Sequence, residues 1–86
     1  MGKVLVTFKV MPEGLESNLD EMALKLKSIG IGRFNSLEKV PIAFGLIALK
    51  PSYLVDDVGG VTEGLEEKIM GIVGVKTVEV VDVTLV

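Results

Sequence analysis

Apolar and polar residues alternate at the start of the chain, and this alternation predicts a first strand. Between Lys3 and Met11 every second residue is apolar, and these residues are Val4, Val6, Phe8 and Val10. A period of two places them on one face of a strand, with Thr7 and Lys9 opposite. The stretch Pro12-Glu13-Gly14 predicts a break after it.

Two later segments carry apolar residues at helical spacing. The stripe of the first comprises Leu15, Leu19, Met22, Leu26 and Ile29, with Ser17 or Asn18 as the cap and Gly30 as the end. The stripe of the second comprises Val61, Leu65, Ile69 and Ile72, with Thr62 as the candidate cap and Gly74 as the end. Gly64 and Gly71 weaken this second helix by about 1 kcal/mol each.

Strands are predicted between and after the helices. Arg33 to Val40 is partly polar, whereas Ile42 to Leu49 is apolar on both faces, which is typical of a strand inside a sheet. Tyr53 to Val55 extends this strand past Pro51, and Asp56-Asp57 with Gly59-Gly60 marks a turn. In the last strand, from Val75 to Val86, the alternation changes phase after Val80, which predicts a bulge.

The predicted order of strand, helix, strand, strand, helix, strand indicates an α+β fold. Right-handed crossovers turn this order into a ferredoxin-like βαββαβ sandwich, in which two helices cover one face of a four-stranded antiparallel sheet of order 4-1-3-2. The charged second strand then lies at an edge. The 86 residues are enough for one domain, so residues 1–86 are predicted to form a single unit.

Composition excludes several kinds of chemistry. The chain has no cysteine and no histidine, so disulfides, thiolate metal sites and histidine bases are absent. The net charge of −3 argues against a general nucleic-acid grip. The apolar run from Val40 to Leu49 is too short to cross a bilayer, and we expect a cytosolic protein without cofactors.

Local motifs do not indicate nucleotide binding by the chain itself. Gly30-Ile31-Gly32 follows a helix and lacks the third glycine of a dinucleotide loop, so a turn is the better interpretation. A Gly-Lys-Ser/Thr phosphate loop is missing from the sequence. Asp56-Asp57 is interpreted as a solvated turn rather than a cation site. Phe44, between two small residues, is either a core side chain or an exposed anchor for a partner, and both interpretations stay open here.

The chain resembles the guanine-nucleotide exchange domain of the elongation factor 1-beta family, in its short archaeal form. Residues Glu38 to Leu46, reading EKVPIAFGL, are similar to the family's KLVP(I/V)G(F/Y)GI. Leu54 to Asp57 is similar to VVEDD, Gly64 to Ile69 to MLEEQI, and Thr77 to Val80 to SMDV. These similarities span nearly the whole chain in consistent order.

The resemblance implies that the protein promotes exchange of GDP for GTP on elongation factor 1-alpha, without covalent chemistry of its own. It implies that Phe44 contacts the GTPase, together with its neighbours Pro41, Ala43 and Gly45. Eukaryotic members place a lysine that disturbs the magnesium site where this chain has Leu85, so the resemblance makes Leu85 the fifth residue expected to contact the GTPase. The nearest cation along the sequence is Lys76. A small-molecule-sensing regulatory module and an RNA-binding module of the same fold remain the alternatives.

Overall fold

The residues that the structure describes fold into one antiparallel sheet with two helices. The computed structural model describes residues 2–14, 18–30, 32–56 and 60–86. Its elements are β1 (Lys3–Pro12), α1 (Leu19–Lys27), β2 (Arg33–Pro41), β3 (Ile47–Asp56), α2 (Val61–Met70) and β4 (Val75–Leu85). The strand order is β2-β3-β1-β4, which is 4-1-3-2 when read from the other edge. The predicted ferredoxin-like α+β fold is confirmed.

A single core lies between the helices and one face of the sheet. The alternating residues of β1 are buried toward it, and Phe8 and Val10 are 0% exposed. Against them pack Met22 and Leu26 of α1 together with Leu65 and Ile69 of α2. Burying a Leu, Met or Phe side chain stabilises a fold by about 1.5–3 kcal/mol. The helices therefore cover this face of the sheet, while the opposite face has no helix on it among the described elements.

The helices begin and end close to the predicted positions, with corrections. Asn18 caps α1, because its side chain accepts a hydrogen bond from the N–H of Glu21 at 3.1 Å. Ser17 and Leu15 lie outside the described residues. The helix ends at Lys27, before the predicted Gly30, because Ser28 binds two carbonyls of the last turn. Its N–H donates to the carbonyl of Lys25, and its hydroxyl donates to the carbonyl of Leu24.

The second helix is capped differently from the prediction. Its N-cap is Gly60 at φ 86°, and no side-chain hydrogen bond caps it among the described residues. Thr62 lies inside the helix, so the predicted threonine cap is wrong. The helix ends at Met70 with Gly71 as the C-cap, and Gly74 instead closes the following turn at φ 99°. A glycine N-cap with positive φ had no clear signal in the sequence.

The bulge predicted in the last strand is confirmed. Thr7 of β1 pairs with Asp82 of β4, but the next residue, Phe8, pairs with Val80. Val81 is therefore the extra residue, and the pairing shifts by one at this point. The shift keeps Val83 on the same face as Val80, because each stands opposite a core-facing residue of β1.

The third strand differs most from its prediction. It begins at Ile47 and runs through Pro51 to Asp56, so residues 42–46, which were expected to be strand, form the connection to β2. Proline is tolerated here because the pairing with β1 stops at Ser52 and resumes at Leu49 in unchanged register. The connection cannot be strand because two of its residues have positive φ.

Candidate functional site

The connection between β2 and β3 is a tight hairpin tip, formed by residues 42–46. The N–H of Leu46 donates to the carbonyl of Ala43 at 2.9 Å, and the N–H of Ile42 donates to the carbonyl of Leu46 at 2.9 Å. Between them Phe44 has φ 54° and Gly45 has φ 80°. Positive φ at both central residues is the pattern of a type I′ turn, which follows the twist of a hairpin.

Phe44 occupies a costly backbone conformation at the tip of this turn. Of the residues that the structure describes, it alone among the non-glycines has positive φ. The left-handed region costs an L-residue about 1–2 kcal/mol, and a bulky side chain is unusual there. The side chain is nevertheless 93% exposed, so contacts within the fold do not compensate for the strain. Strain of this kind concentrates at functional sites.

The residues around Phe44 make the tip apolar. Pro41, Ala43 and Gly45 are exposed, and Ile42 is 41% exposed. Residues 41–47 enclose a shallow concavity of about 350 Å³. Four of the five predicted partner-binding residues therefore lie together on one hairpin tip. Exposed apolar surface with fixed geometry is typical of a protein-binding site.

Leu85, the fifth predicted residue, lies at the opposite end of the sheet. It pairs with Val4 at the start of β1, and Val4 in turn pairs with Val55 near the end of β3. The hairpin tip adjoins Ile47 at the other end of β3. Val55 stands eight positions after Ile47, which corresponds to about 27 Å along a strand. The structure therefore does not bring Leu85 together with Phe44.

A second exposed apolar surface surrounds Leu85. Val83 stands opposite Val6 and Leu85 opposite Val4, so both face the helix-bearing side of the sheet. They are nevertheless 55% and 74% exposed. At this level of the sheet β1 is covered, since Val4 and Val6 are buried, but the neighbouring edge strand β4 is not. The bulge at Val81 is the reason that the side chains of Val83 and Leu85 lie on the apolar face of the sheet.

Lys3, a cation that sequence reasoning missed, lies at this end of the sheet. Its carbonyl accepts the N–H of Val86 at 3.0 Å, and its ammonium lies 3.0 Å from the carboxylate of Asp56. Lys76 lies at the other end of β4, one residue after Val75, which pairs with Pro12. The antiparallel pairing of the first and last strands is the signal that could have revealed Lys3.

Other candidate sites carry less chemistry. Asp56 is paired with Lys3, and Asp57 lies outside the described residues. Within the described ranges no group of three or more His, Cys, Asp or Glu residues could hold a metal ion. Glu63, Glu66, Glu67 and Met70 line an open concavity on α2. Of these, Glu63 lies in the first turn, where a negative charge interacts favourably with the helix dipole.

In the part of the chain that the structure describes, no helix is long and apolar enough to span a membrane.

Comparison with known proteins assigns the family. A sequence model of the EF-1 guanine nucleotide exchange domain matches residues 5–86. The chain is 42% identical to elongation factor 1-beta of Methanococcoides burtonii over 85 residues, which cover 95% of this chain and 94% of that protein. Its identity is 41% to the elongation factor 1-beta of Methanothermobacter thermautotrophicus and 39% to that of Methanoregula boonei, with at least 96% of each chain covered.

The chain therefore belongs to the family of EF-1 guanine nucleotide exchange domains. Its function is guanine-nucleotide exchange in translation elongation. This assignment decides against the regulatory-module and RNA-binding alternatives that the fold alone left open.

Proposed function

We propose that the protein accelerates GDP release from elongation factor 1-alpha and that it docks on this GTPase through the hairpin tip. Phe44 is the anchor, and Pro41, Ala43 and Gly45 shape the surface around it. The observation that carries the proposal is the conformation of Phe44, which is 93% exposed at a φ of 54°. An aromatic side chain held out in a strained turn is better explained by a partner than by the fold.

The geometry of the tip favours binding. Two backbone hydrogen bonds of 2.9 Å close the turn, so the aromatic ring is presented on a backbone that is already ordered. Less conformational entropy is then lost on binding than with a flexible loop. Buried aromatic anchors contribute about 2 kcal/mol or more to many protein–protein complexes. The tip therefore supplies a small but preorganised binding element.

Exchange requires only differential binding. A factor that binds the nucleotide-free GTPase more tightly than the GDP form must weaken GDP binding by the same ratio. No acid, base or nucleophile has to act on the nucleotide, which suits a chain without histidine or cysteine. Residues 1–86 act in this way as one exchange domain, in the cytosol where translation takes place.

Leu85 forms a second apolar contact with the same partner. Measured along the strand direction, it lies about 27 Å from the base of the hairpin tip, and the domain is 42 Å long. A GTPase that touches both must extend along the whole sheet. Because leucine carries no charge, we infer that exchange proceeds by apolar displacement of the switch and phosphate-loop elements rather than by a lysine at the magnesium site.

The test is release of fluorescently labelled GDP from elongation factor 1-alpha. Substoichiometric amounts of the protein should accelerate release, and the protein alone should neither bind nor hydrolyse GTP. Leu24→Ala is the matched control for Phe44→Ala, because Leu24 is a 64% exposed apolar residue on α1, an element that carries neither proposed contact. An unchanged release rate at saturating protein would contradict the proposed function.

A further inference from the structure

A second turn leaves the sheet at the same end as the hairpin tip. Pro12 ends β1 and pairs with Val75, the first residue of β4. The register of β1 with β3 places Ile47 level with Pro12 on the other side. Two strand spacings separate Ile47 from Val75, or about 10 Å. The turn before β4 and the tip before β3 therefore stand side by side.

Val73 is the exposed corner of this second turn. The N–H of Val75 donates to the carbonyl of Ile72 at 3.2 Å, and Gly74 has φ 99°, which is the pattern of a type II turn with Val73 at its first central position. Val73 is 80% exposed, whereas Ile72 and Val75 on either side of it are only 9% and 8% exposed.

The turn is fixed to the sheet. The N–H of Glu13, just after β1, donates to the carbonyl of Gly74 at 2.8 Å. The buried neighbours and this hydrogen bond hold the backbone, so Val73 projects from an ordered position. Turn corners are usually polar, and an apolar residue there is not required by the turn, which needs only the glycine at the next position.

The size of a protein–protein contact links the two turns. A standard interface covers about 800 Å² of each partner, which is a patch about 30 Å across. Val73 precedes Val75 by two residues, and Val75 lies about 10 Å from the base of the tip. A patch of that size centred on Phe44 therefore includes Val73. A GTPase that docks on the hairpin tip therefore covers the Val73 turn as well.

We propose that Val73 is an affinity-determining contact of the protein with the same GTPase, received by an apolar surface of the partner beside the one that holds Phe44. This inference rests on the proposed function. Phe44 and Val73 form a two-point contact at one end of the domain, separate from Leu85 at the other end. Both points are presented on closed turns, so their spacing is set before the partner binds.

The experiment measures labelled-GDP release from elongation factor 1-alpha as a function of protein concentration for the wild type and for three variants. Val73→Ser removes the apolar surface and keeps the turn, whereas Val73→Ile retains the apolar surface. Leu24→Ser removes a comparably exposed apolar residue on α1. Thermal melts of all four proteins check the fold.

Val73→Ser should raise the half-saturating concentration about three- to tenfold, as the loss of one buried aliphatic contact does, and should leave the release rate at saturation unchanged. Val73→Ile and Leu24→Ser should behave like the wild type. An unchanged half-saturating concentration for Val73→Ser, or an equal rise for Leu24→Ser, would overturn this inference while the exchange function stands. If the wild-type protein did not accelerate GDP release from elongation factor 1-alpha, both this inference and the proposed function would be overturned.

Discussion

The hydroxyl of Tyr53 donates a hydrogen bond to the backbone carbonyl of Leu26 at 2.8 Å, which joins the middle of the sheet to the last turn of α1. Carbonyls in the last turn of a helix have no partner within the helix. The ring of Tyr53 meets Phe8 and Phe34 edge-on, with centroids 6.0 and 5.8 Å away. One side chain thus satisfies a helix end and organises the aromatic part of the core.

Tyr53→Phe should lower the free energy of unfolding by about 1–2 kcal/mol, because it removes the hydrogen bond and leaves a buried carbonyl unpaired while keeping the ring contacts. In a domain of this size, that is a fall in melting temperature of about 4–16 °C. Urea unfolding and thermal melts would measure it. A change within experimental error would show that water replaces the hydroxyl at Leu26.

Tyr53 should also make stability depend on alkaline pH. Burial raises the pKa of the Tyr53 hydroxyl well above its ordinary value. The folded state then keeps the proton while the unfolded chain loses it, so this stabilisation is present in full below about pH 10 and is lost as the pH rises further. Tyr53→Phe should show a smaller loss of stability above pH 10. Tyrosinate absorbance reports the titration directly, since the chain has one tyrosine.

Gly32 is predicted to be far less tolerant of substitution than Gly30, although both have positive φ. A Cβ on Gly32 would overlap Cγ1 of Val55 and lie 2.8 Å from the carbonyl oxygen of Leu54, whereas the space around Gly30 is open among the described residues. Gly32→Ala should therefore cost about 1–3 kcal/mol more than Gly30→Ala, by overpacking. Paired denaturant titrations would test this, and equal costs would contradict it.

The elements that could be predicted from the sequence are those whose apolar pattern matches their own burial. β1 alternates because one of its faces meets the helices, and the phase change after Val80 appeared as the bulge at Val81. Residues 42–46 were wrongly predicted as strand, because an apolar run predicts a buried strand whether its side chains pack in the core or contact a partner. The positive φ values of Phe44 and Gly45 are a property of the folded chain that the composition did not reveal.

The residues proposed for the site came from the family resemblance and their role stays a prediction, whereas their layout came only from the folded structure. The resemblance named Phe44 and Leu85 as expected partner contacts, and only the strand pairing shows that they lie at opposite ends of the sheet. The positions of Lys3 and Val73 could not be predicted for the same reason, because they depend on which strands pair. The carbonyl of Lys3, for example, accepts the N–H of Val86, which lies 83 residues further along the sequence. Resemblance along a sequence carries no information about such neighbours.

Phe44 should matter for binding and little for stability. Phe44→Ala should weaken binding to elongation factor 1-alpha by about 2 kcal/mol or more, a loss of roughly thirtyfold in affinity. The free energy of unfolding should change by no more than about 0.5 kcal/mol, since an exposed side chain is removed. A core phenylalanine would instead cost about 3–5 kcal/mol.

Phe44→Gly is the sharper companion variant. Glycine adopts positive φ without steric cost, so this variant relieves the strain at the tip and should be no less stable than Phe44→Ala. It should nevertheless bind as poorly as Phe44→Ala. Retained exchange with either variant would show that the turn backbone, and not the aromatic ring, makes the contact.

The end of β4 should contribute affinity and stability rather than an essential chemical step. Leu85→Lys should leave the fold intact, because Leu85 is 74% exposed, and it should not lower the rate of GDP release at saturation. Deletion of Thr84 to Val86 removes the pairing with Leu5 and Val4 and the hydrogen bond to Lys3, so melting temperature and exchange should fall together. If the deletion abolished release at saturation while melting temperature and affinity stayed at wild-type values, the end of β4 would be an active wedge. Exchange would then require an insertion at the nucleotide site, and apolar displacement would be the wrong mechanism.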